Sequence, residues 1–289
     1  MGVIVALELQ FPHQIMQPDT DTYAVFGSPI EHSKSPQIHS LFAEQTGQSI
    51  YYTKVLVPVD QFRQYSEAFF KAGGKGLNVT VPFKVEAFHY ASALTDRARA
   101  AQAVNTLFIR PDKTITGDNT DGIGLIHDLQ TNLGWTITDQ KILVLGAGGA
   151  VRGVLLPLLQ CQPQKLVIAN RTVEKAQQLA QTFAVYGNIE TCRFTDLHEQ
   201  QFDLVINATS SGLSGDLPAL PNSLFNQKSY AYDMVYGDTT TPFLTWARNL
   251  GVKNLSDGLG MLVGQAAESF YLWRGIKPDI RPVLQQLRN

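Results

Sequence analysis

The stretch KILVLGAGGAVRGVLLPLLQ, residues 141–160, decides the fold. Leu143–Leu145 continue an apolar run, as in a strand buried on both faces. A glycine turn and a long apolar segment of helical length follow. LVLGAGGAV fits the first turn of a dinucleotide-binding βαβ unit. Gly146 allows the tight turn, and Gly148 lets the backbone approach a pyrophosphate. A helix beginning near Gly149 would aim its free N–H groups at the phosphates. Val151 stands where a third glycine is usual, and a plain strand–turn–helix would carry similar letters.

Downstream, LVIANRT reads as a second strand, VEKAQQLAQTF as a helix, FDLVINATSSG as a third strand and YAYDMVYG as a fourth. Two helical stretches follow, TPFLTWARNLG and GMLVGQAAESFYLWRG. The second strand ends in Asn170, Arg171 and Thr172, with Lys175 one turn on. An NAD site usually carries a carboxylate there for the ribose 2′-hydroxyl. A guanidinium, a hydroxyl and an ammonium suit a 2′-phosphate instead, which favours NADP. A solvated basic helix start is the bland alternative. INATSSG, with Thr209, supplies small polar residues where the linker of a dinucleotide would pass.

Upstream, strands again alternate with helices, and this predicts an α/β layer with parallel pairing. YAVF reads as a strand. Ser35 is placed to cap a helix that has Pro36 at its first position and Gly47 at its end. YYTKVLV, GLNVTV and AVNTLFI read as strands, DQFRQYSEAFFKAG and PFKVEAFHYASAL as helices, and TGDNTDG as a loop. The domain boundary is expected near residues 121–123.

The 289 residues are 44% hydrophobic and 17% charged, with a formal net charge of −2. The length suits one large domain or two ordinary ones. There is no broad basic field for nucleic acid or a membrane surface. No apolar run is long enough to span a bilayer. The two cysteines, Cys161 and Cys192, imply no disulfide framework and fit a reducing cytosol. Residues 1–22 read as an extension without chemistry.

GLNVTVPFK, residues 76–84, breaks a local rule. Alternation puts Asn78 and Thr80 on one strand face. Pro82 fits a first helical position, so Lys84 falls in the first turn, where the helix end disfavours a cation. A lysine held this way suits proton exchange. Most lysines simply face solvent. Asp121, in GDNTDG, precedes a helix and is a candidate partner, or only a cap.

Taken in order, GSPIEHSKSPQIH, NVTVPFK, AVNTL, GDNTDG, GAGGA, NRT, YDMVYG and GLGMLVGQAA resemble the shikimate dehydrogenase family from about Tyr23 to Pro282. The resemblance implies two domains. A substrate-binding and catalytic domain would cover residues 1–121 and 257–289, with the C-terminal helix returning to it. A doubly wound Rossmann domain for NADP would cover residues 122–256. It implies reversible NADPH-dependent reduction of 3-dehydroshikimate by a cytoplasmic monomer or homodimer without a metal. Lys84 would be the general acid/base, paired with Asp121. Ser33 and Ser35 would bind the substrate carboxylate. Thr80, Asn105 and Asp121 would hold the ring hydroxyls, with Asn78 nearby, and Tyr236 and Gln265 would close the pocket. Gly146, Ala147, Gly148, Gly149 and Ala150 would cradle the pyrophosphate. Asn170, Arg171, Thr172 and Lys175 would surround the adenosine phosphate. Met234, Gly258 and Asp96 would lie near the cofactor. One rival is a quinate/shikimate dehydrogenase that uses NAD. A rival of another class is a non-catalytic dinucleotide-binding regulator, which retention of Lys84 and Asp121 argues against.

Overall fold

The computed structural model describes residues 20–209 and 217–288. Most of the N-terminal extension and residues 210–212 of INATSSG lie outside those residues. The chain forms two compact units. The first comprises the residues up to Ala98, Ala103–Asn119 and Ala266–Asp279. The second comprises Arg99–Gln102, Thr120–Gln265 and Ile280 onward.

The first unit carries a six-stranded sheet in the order β2-β1-β3-β5-β6-β4. These strands are β1 (Asp21–Gly27), β2 (Ile50–Leu56), β3 (Gly76–Val79), β4 (Ala93–Leu94), β5 (Thr106–Ile109) and β6 (Ile115–Asp118). The pairs β1–β2, β1–β3 and β4–β6 are parallel. Strand β5 runs antiparallel to both β3 and β6, so the expectation of parallel pairing fails here. The cause is local. Strands β5 and β6 are joined by a tight turn in which Arg110 N–H bonds the Thr114 carbonyl and Asp112 accepts from Thr114 N–H. So short a connection can only make a hairpin. TGDNTDG reads as a loop, yet its first three residues finish β6. Gly117 permits this, because a Cβ there would meet Val104 at 2.7 Å.

Helices α1 (Ser35–Thr46), α2 (Phe62–Lys71) and α3 (Lys84–Tyr90) are shorter than, or offset from, their sequence limits. Helix α1 ends at Gly47 in the left-handed conformation, as expected. Its start differs, because Ser35 is the first helical residue rather than the cap, and Lys34 at the cap position makes no side-chain capping bond. The PFKVEAFHYASAL helix stops at Tyr90, and β4 takes up Ala93–Leu94. Strand β3 stops at Val79, because Thr80 turns its carbonyl to Phe83 N–H. Pro82 therefore precedes the helix, and Lys84 itself opens it. Phe83 fixes this entry, since it is fully buried and stacks on Phe62 at 5.5 Å. Phe26, Phe69, Leu77 and Leu107 complete that core.

His39 lies wholly inside this unit on α1. It stacks on Tyr52 at 4.2 Å, and neither ring nitrogen makes a hydrogen bond among the described residues. Burial pushes its pKa down to about 3. The unfolded chain takes up a proton near the ordinary value of 6.5, and the folded chain does not until about 3. Stability therefore falls as pH drops through that window, approaching about 1.4 kcal/mol per pH unit from this group. Buried Asp128 and Asp233, whose pKa values burial raises, act in the opposite sense. Denaturation of wild type and His39→Leu at pH 7.5, 6 and 5 separates the terms. The wild type should lose more stability on acidification, and parallel curves would refute this.

The second unit holds an all-parallel sheet in the order β12-β11-β10-β7-β8-β9. Its strands are β7 (Lys141–Leu145), β8 (Lys165–Ala169), β9 (Glu190–Cys192), β10 (Phe202–Asn207), β11 (Phe225–Asp233) and β12 (Asn254–Ser256). Counted from β7, this is the doubly wound Rossmann order, and strand order reverses between β7 and β10. Alternate residues feed two cores, Ile142 and Val144 one, Leu143 and Leu145 the other. Both sheet faces are therefore buried, which is why the strand has no polar alternation. Around the sheet lie α5 (Asp121–His127), α6 (Gly149–Gln160), α7 (Val173–Phe183), α8 (Pro242–Asn249) and α10 (Ile280–Arg288). Helix α9 (Leu259–Arg274) passes from the second unit into the first between Gln265 and Ala266. The edge strands β9 and β12 and helix α10 escape the sequence reading. Three-residue strands are too short to show a period. No described helix is long and apolar enough to cross a membrane.

Candidate active site

In the first unit the HSKSP turn brings Ser33 and Ser35 together. Ser35 N–H donates to Ser33 Oγ at 3.3 Å, so Ser33 rather than Ser35 meets the helix start. Ser35 is buried, and so is Tyr52, whose phenol pKa burial raises well above the ordinary range. Thr80 lies just past β3, where its methyl fills the space over Gly27. Lys84 is half-buried at the first position of α3, and its carbonyl accepts from Val104 N–H at 2.8 Å. The AVNTL segment is thereby tied to the catalytic candidate.

Asn78 and Asn105 are both buried. Asn78 Oδ1 accepts from Tyr52 at 2.8 Å, while Nδ2 faces the Asn105 carbonyl, Thr106 Oγ1 and Ser269 Oγ. Both ends of its amide have protein partners, and Oδ1, with one donor, keeps a second lone pair for a ligand. Sequence reasoning missed Tyr52, Thr106 and Ser269. The available signals were Thr106 inside AVNTL and a serine on an otherwise apolar helix.

A second missed cluster anchors GDNTDG. Arg97 donates to Asp118 through Nε and Nη2 at 2.6 and 2.7 Å, and to Glu268 at 2.9 Å. Thr95 Oγ1 and Asn119 N–H also donate to Asp118. Burial alone disfavours the guanidinium, but the two carboxylates more than offset it and raise the Arg97 pKa. Asn105 N–H bonds the Asp118 carbonyl, so this cluster holds the backbone of a substrate-binding candidate. Asp96, the neighbour of Arg97, is exposed at the start of α4 (Asp96–Ala101).

The second unit carries the remaining candidates. Asp121 is buried as the first residue of α5. Gln265 is also buried. It accepts from Thr120 Oγ1 at 3.4 Å and donates to the Leu262 carbonyl at 2.9 Å. Tyr236 is half-buried, and burial raises its phenol pKa.

At the switch point, Gly146 adopts φ +108°, where a side chain is strained, and a Cβ would press on the Ala208 carbonyl at 3.0 Å. A Cβ on Gly148 or Gly149 would meet no described atom within 4 Å. The N-terminus of α6 is therefore open, as a pyrophosphate cradle requires. Val151 is wholly buried in the core, so the missing third glycine costs the cradle nothing. Asn170 Nδ2 folds back to the Thr172 carbonyl at 2.8 Å, and Arg171 and Lys175 are exposed at the end of β8. These residues fit a dinucleotide with a phosphorylated ribose. Thr209 donates to Asn207, which donates to buried Asp233. This ties the ends of β10 and β11 together.

Met234 follows β11, and Gly258 lies so near its carbonyl that a Cβ would overlap it. Gly260 is equally crowded, against the Asp128 carboxylate that Tyr232 and Asn132 hold at 2.7 and 2.8 Å. Gly260→Ala should cost about 1–3 kcal/mol by overpacking. Equilibrium urea unfolding measures it, and an unchanged midpoint would show that the first turn of α9 shifts freely away from Asp128.

Comparison with known proteins decides the family. Three family models match, the shikimate dehydrogenase substrate binding domain over residues 25–107, shikimate/quinate 5-dehydrogenase over 128–215, and the shikimate 5′-dehydrogenase C-terminal domain over 258–288. The NADP(+) shikimate dehydrogenase of Cellvibrio japonicus is 58% identical, covering 93% of this chain and 98% of the relative. The chain belongs to the shikimate dehydrogenase family. Among solved members of that fold, an Ael1 enzyme from Pseudomonas putida is 46% identical with a TM-score of 0.87, covering 93% of this chain and 98% of that one. Shikimate 5-dehydrogenase from Thermus thermophilus, solved with NADP(H) and shikimate, is 30% identical with a TM-score of 0.83 and the same coverage.

Proposed function

We propose that the protein is an NADP-dependent shikimate dehydrogenase that reversibly reduces 3-dehydroshikimate to shikimate. The observation that carries this is Lys84, placed half-buried at the opening of α3 beside the Asn105 segment, in a family whose curated members carry that activity. Residues 1–121 and 257–289 serve the substrate, and residues 122–256 serve the dinucleotide.

NADPH, held by Gly146–Ala150 and by Arg171, Thr172 and Lys175, would supply the hydride for the ring ketone carbon. Lys84 donates the proton that the resulting alkoxide takes, in the oxidative direction it takes that proton back, and Asp121 is the second catalytic group. Ser33 and Ser35 bind the ring carboxylate. Thr80, Asn105 and Asp121 serve the hydroxyls, and Tyr236 and Gln265 are further substrate-binding residues. Orientation and one managed proton are what the protein adds to the chemistry of the cofactor. The composition and the family fit a cytoplasmic enzyme that binds small molecules as a monomer or homodimer.

The test follows the absorbance of reduced nicotinamide in four mixtures, NADPH or NADH with 3-dehydroshikimate or 3-dehydroquinate. Turnover should be largely confined to NADPH with 3-dehydroshikimate. Comparable rates with NADH or 3-dehydroquinate would move the protein to the quinate/shikimate branch, and silence in all four would leave a binding protein.

A further inference from the structure

In the first unit, residues 103–105 are held by their main-chain groups. Asn119 Nδ2 donates to the Ala103 carbonyl at 3.0 Å, and Asn105 N–H donates to the Asp118 carbonyl at 3.0 Å. Val104 N–H, between them, donates to the Lys84 carbonyl at 2.8 Å. The place of Asn105 therefore depends on the end of β6, at Asp118 and Asn119. The Asp118 side chain lies inside the unit, and the residue is 1% exposed. A carboxylate that deep is costly unless it is paired. Arg97 pairs it as a fork, Nε to Oδ1 at 2.6 Å and Nη2 to Oδ2 at 2.7 Å. Thr95 Oγ1 and Asn119 N–H also donate to Oδ1, at 2.6 and 2.7 Å. Proton direction is set by chemistry here, because a guanidinium has no acceptor and an ionised carboxylate has no donor. Arg97 Nη2 also donates to Glu268 on α9 at 2.9 Å. Glu268 is half-buried and can turn to water if the guanidinium is lost, whereas Asp118 cannot.

We infer that Arg97 is a positioning residue for the substrate, which acts through Asp118: by neutralising that carboxylate it keeps the end of β6, and so the main chain of Asn105, in place. The inference rests on the reading of Asn105 as a substrate-binding residue of a shikimate dehydrogenase. Without the guanidinium, Asp118 is a buried charge with no cation beside it. It reaches water only by drawing the end of β6 outward, together with the carbonyl that Asn105 bonds. An amide in place of the carboxylate carries no charge to neutralise. Its oxygen still accepts from Thr95 and Asn119 N–H, and its NH2 takes the position of Oδ2. Beside Arg97 that NH2 sets donor against donor, and in the absence of Arg97 the conflict is gone. Asp118→Asn therefore harms a chain that has Arg97 and helps one that lacks it. A role in packing alone produces no such reversal.

The experiment measures shikimate oxidation with NADP+ by the full-length enzyme as wild type, Arg97→Met, Asp118→Asn and the double variant. Arg97→Met should raise KM for shikimate about tenfold, the weight of one hydrogen bond to substrate, with KM for NADP+ within about twofold of wild type. Partial unfolding lowers kcat through the amount of active enzyme and leaves KM unmoved, so the KM for shikimate separates positioning from stability. Asp118→Asn alone should raise that KM about threefold, and added to Arg97→Met it should lower it about threefold. An unchanged KM in Arg97→Met, or an Asp118→Asn effect of the same sign in both backgrounds, would overturn the inference. If Arg97→Met does not fold, Asp118→Asn and the double variant decide. Their KM values for shikimate should agree within about twofold, and a rise of about tenfold from one to the other would show that Arg97 acts by another route. A wild-type enzyme that does not oxidise shikimate at all defeats the parent reading, and that outcome is visible before any variant is made.

Discussion

Lys84→Ala should lower kcat by about 10²–10⁴ while KM for shikimate and for NADP+ stays within a few-fold of wild type. The split follows from position. Lys84 opens α3, where the helix end disfavours a cation, so its placement is not explained by local helix stability. The segment is held by its neighbours instead. Phe83 is buried against Phe62, and the Lys84 carbonyl accepts from Val104 N–H, a bond that survives substitution because it is made by backbone. Removing the ammonium should therefore leave the fold and the binding groups in place and delete one proton-transfer step. An interaction made only in the transition state lowers kcat and kcat/KM together. If KM rose a hundredfold with kcat intact, Lys84 would be a binding residue, and the acid/base role would pass to another group.

The nucleotide half was legible in the sequence for a physical reason. Buried parallel strands must be apolar on both faces, and Leu143–Leu145, Leu166–Ala169 and Leu204–Ile206 stand out from their polar surroundings. Gly146 was legible too, because only the need for φ near +108° makes a glycine valuable there. The first unit was harder. Strand β6 contains Thr116, Gly117 and Asp118, a composition that signals a loop, and it becomes a strand because Arg97 neutralises Asp118 inside the unit. That compensation comes from elsewhere in the chain, so no local pattern shows it. The same holds for Asn78. Alternation points to a ligand-facing amide, and the residues that support that amide, Tyr52 and Ser269, lie far from it in sequence. Motif order supplied the candidate residues, while the supports beneath them required three dimensions.

Arg171→Asp should reverse cofactor preference, with KM for NADP+ rising roughly 100-fold and activity with NAD+ rising above the wild-type level. A charge-assisted hydrogen bond contributes about 1.5–3 kcal/mol, and the guanidinium fork offers two to a phosphate. Those figures belong to well-formed pairs. Arg171 is exposed at the end of β8, where an ordinary ion pair is worth at most about 1 kcal/mol. What separates the two regimes is geometry. In the proposed role a planar fork would meet a dianionic 2′-phosphate, with Thr172 and Lys175 on the same turn to add further donors. The aspartate adds two effects to the loss of the fork. It repels the 2′-phosphate, and it places a carboxylate where NAD sites bond the ribose 2′-hydroxyl. Ionic strength provides the control. Added salt should weaken wild-type binding of NADP+ and leave that of NAD+ nearly unchanged, because screening acts on the extra phosphate charge. A variant that loses both cofactors equally would show that Arg171 holds the strand end rather than the phosphate, and the preference for NADP would then have to come from Lys175 or Thr172.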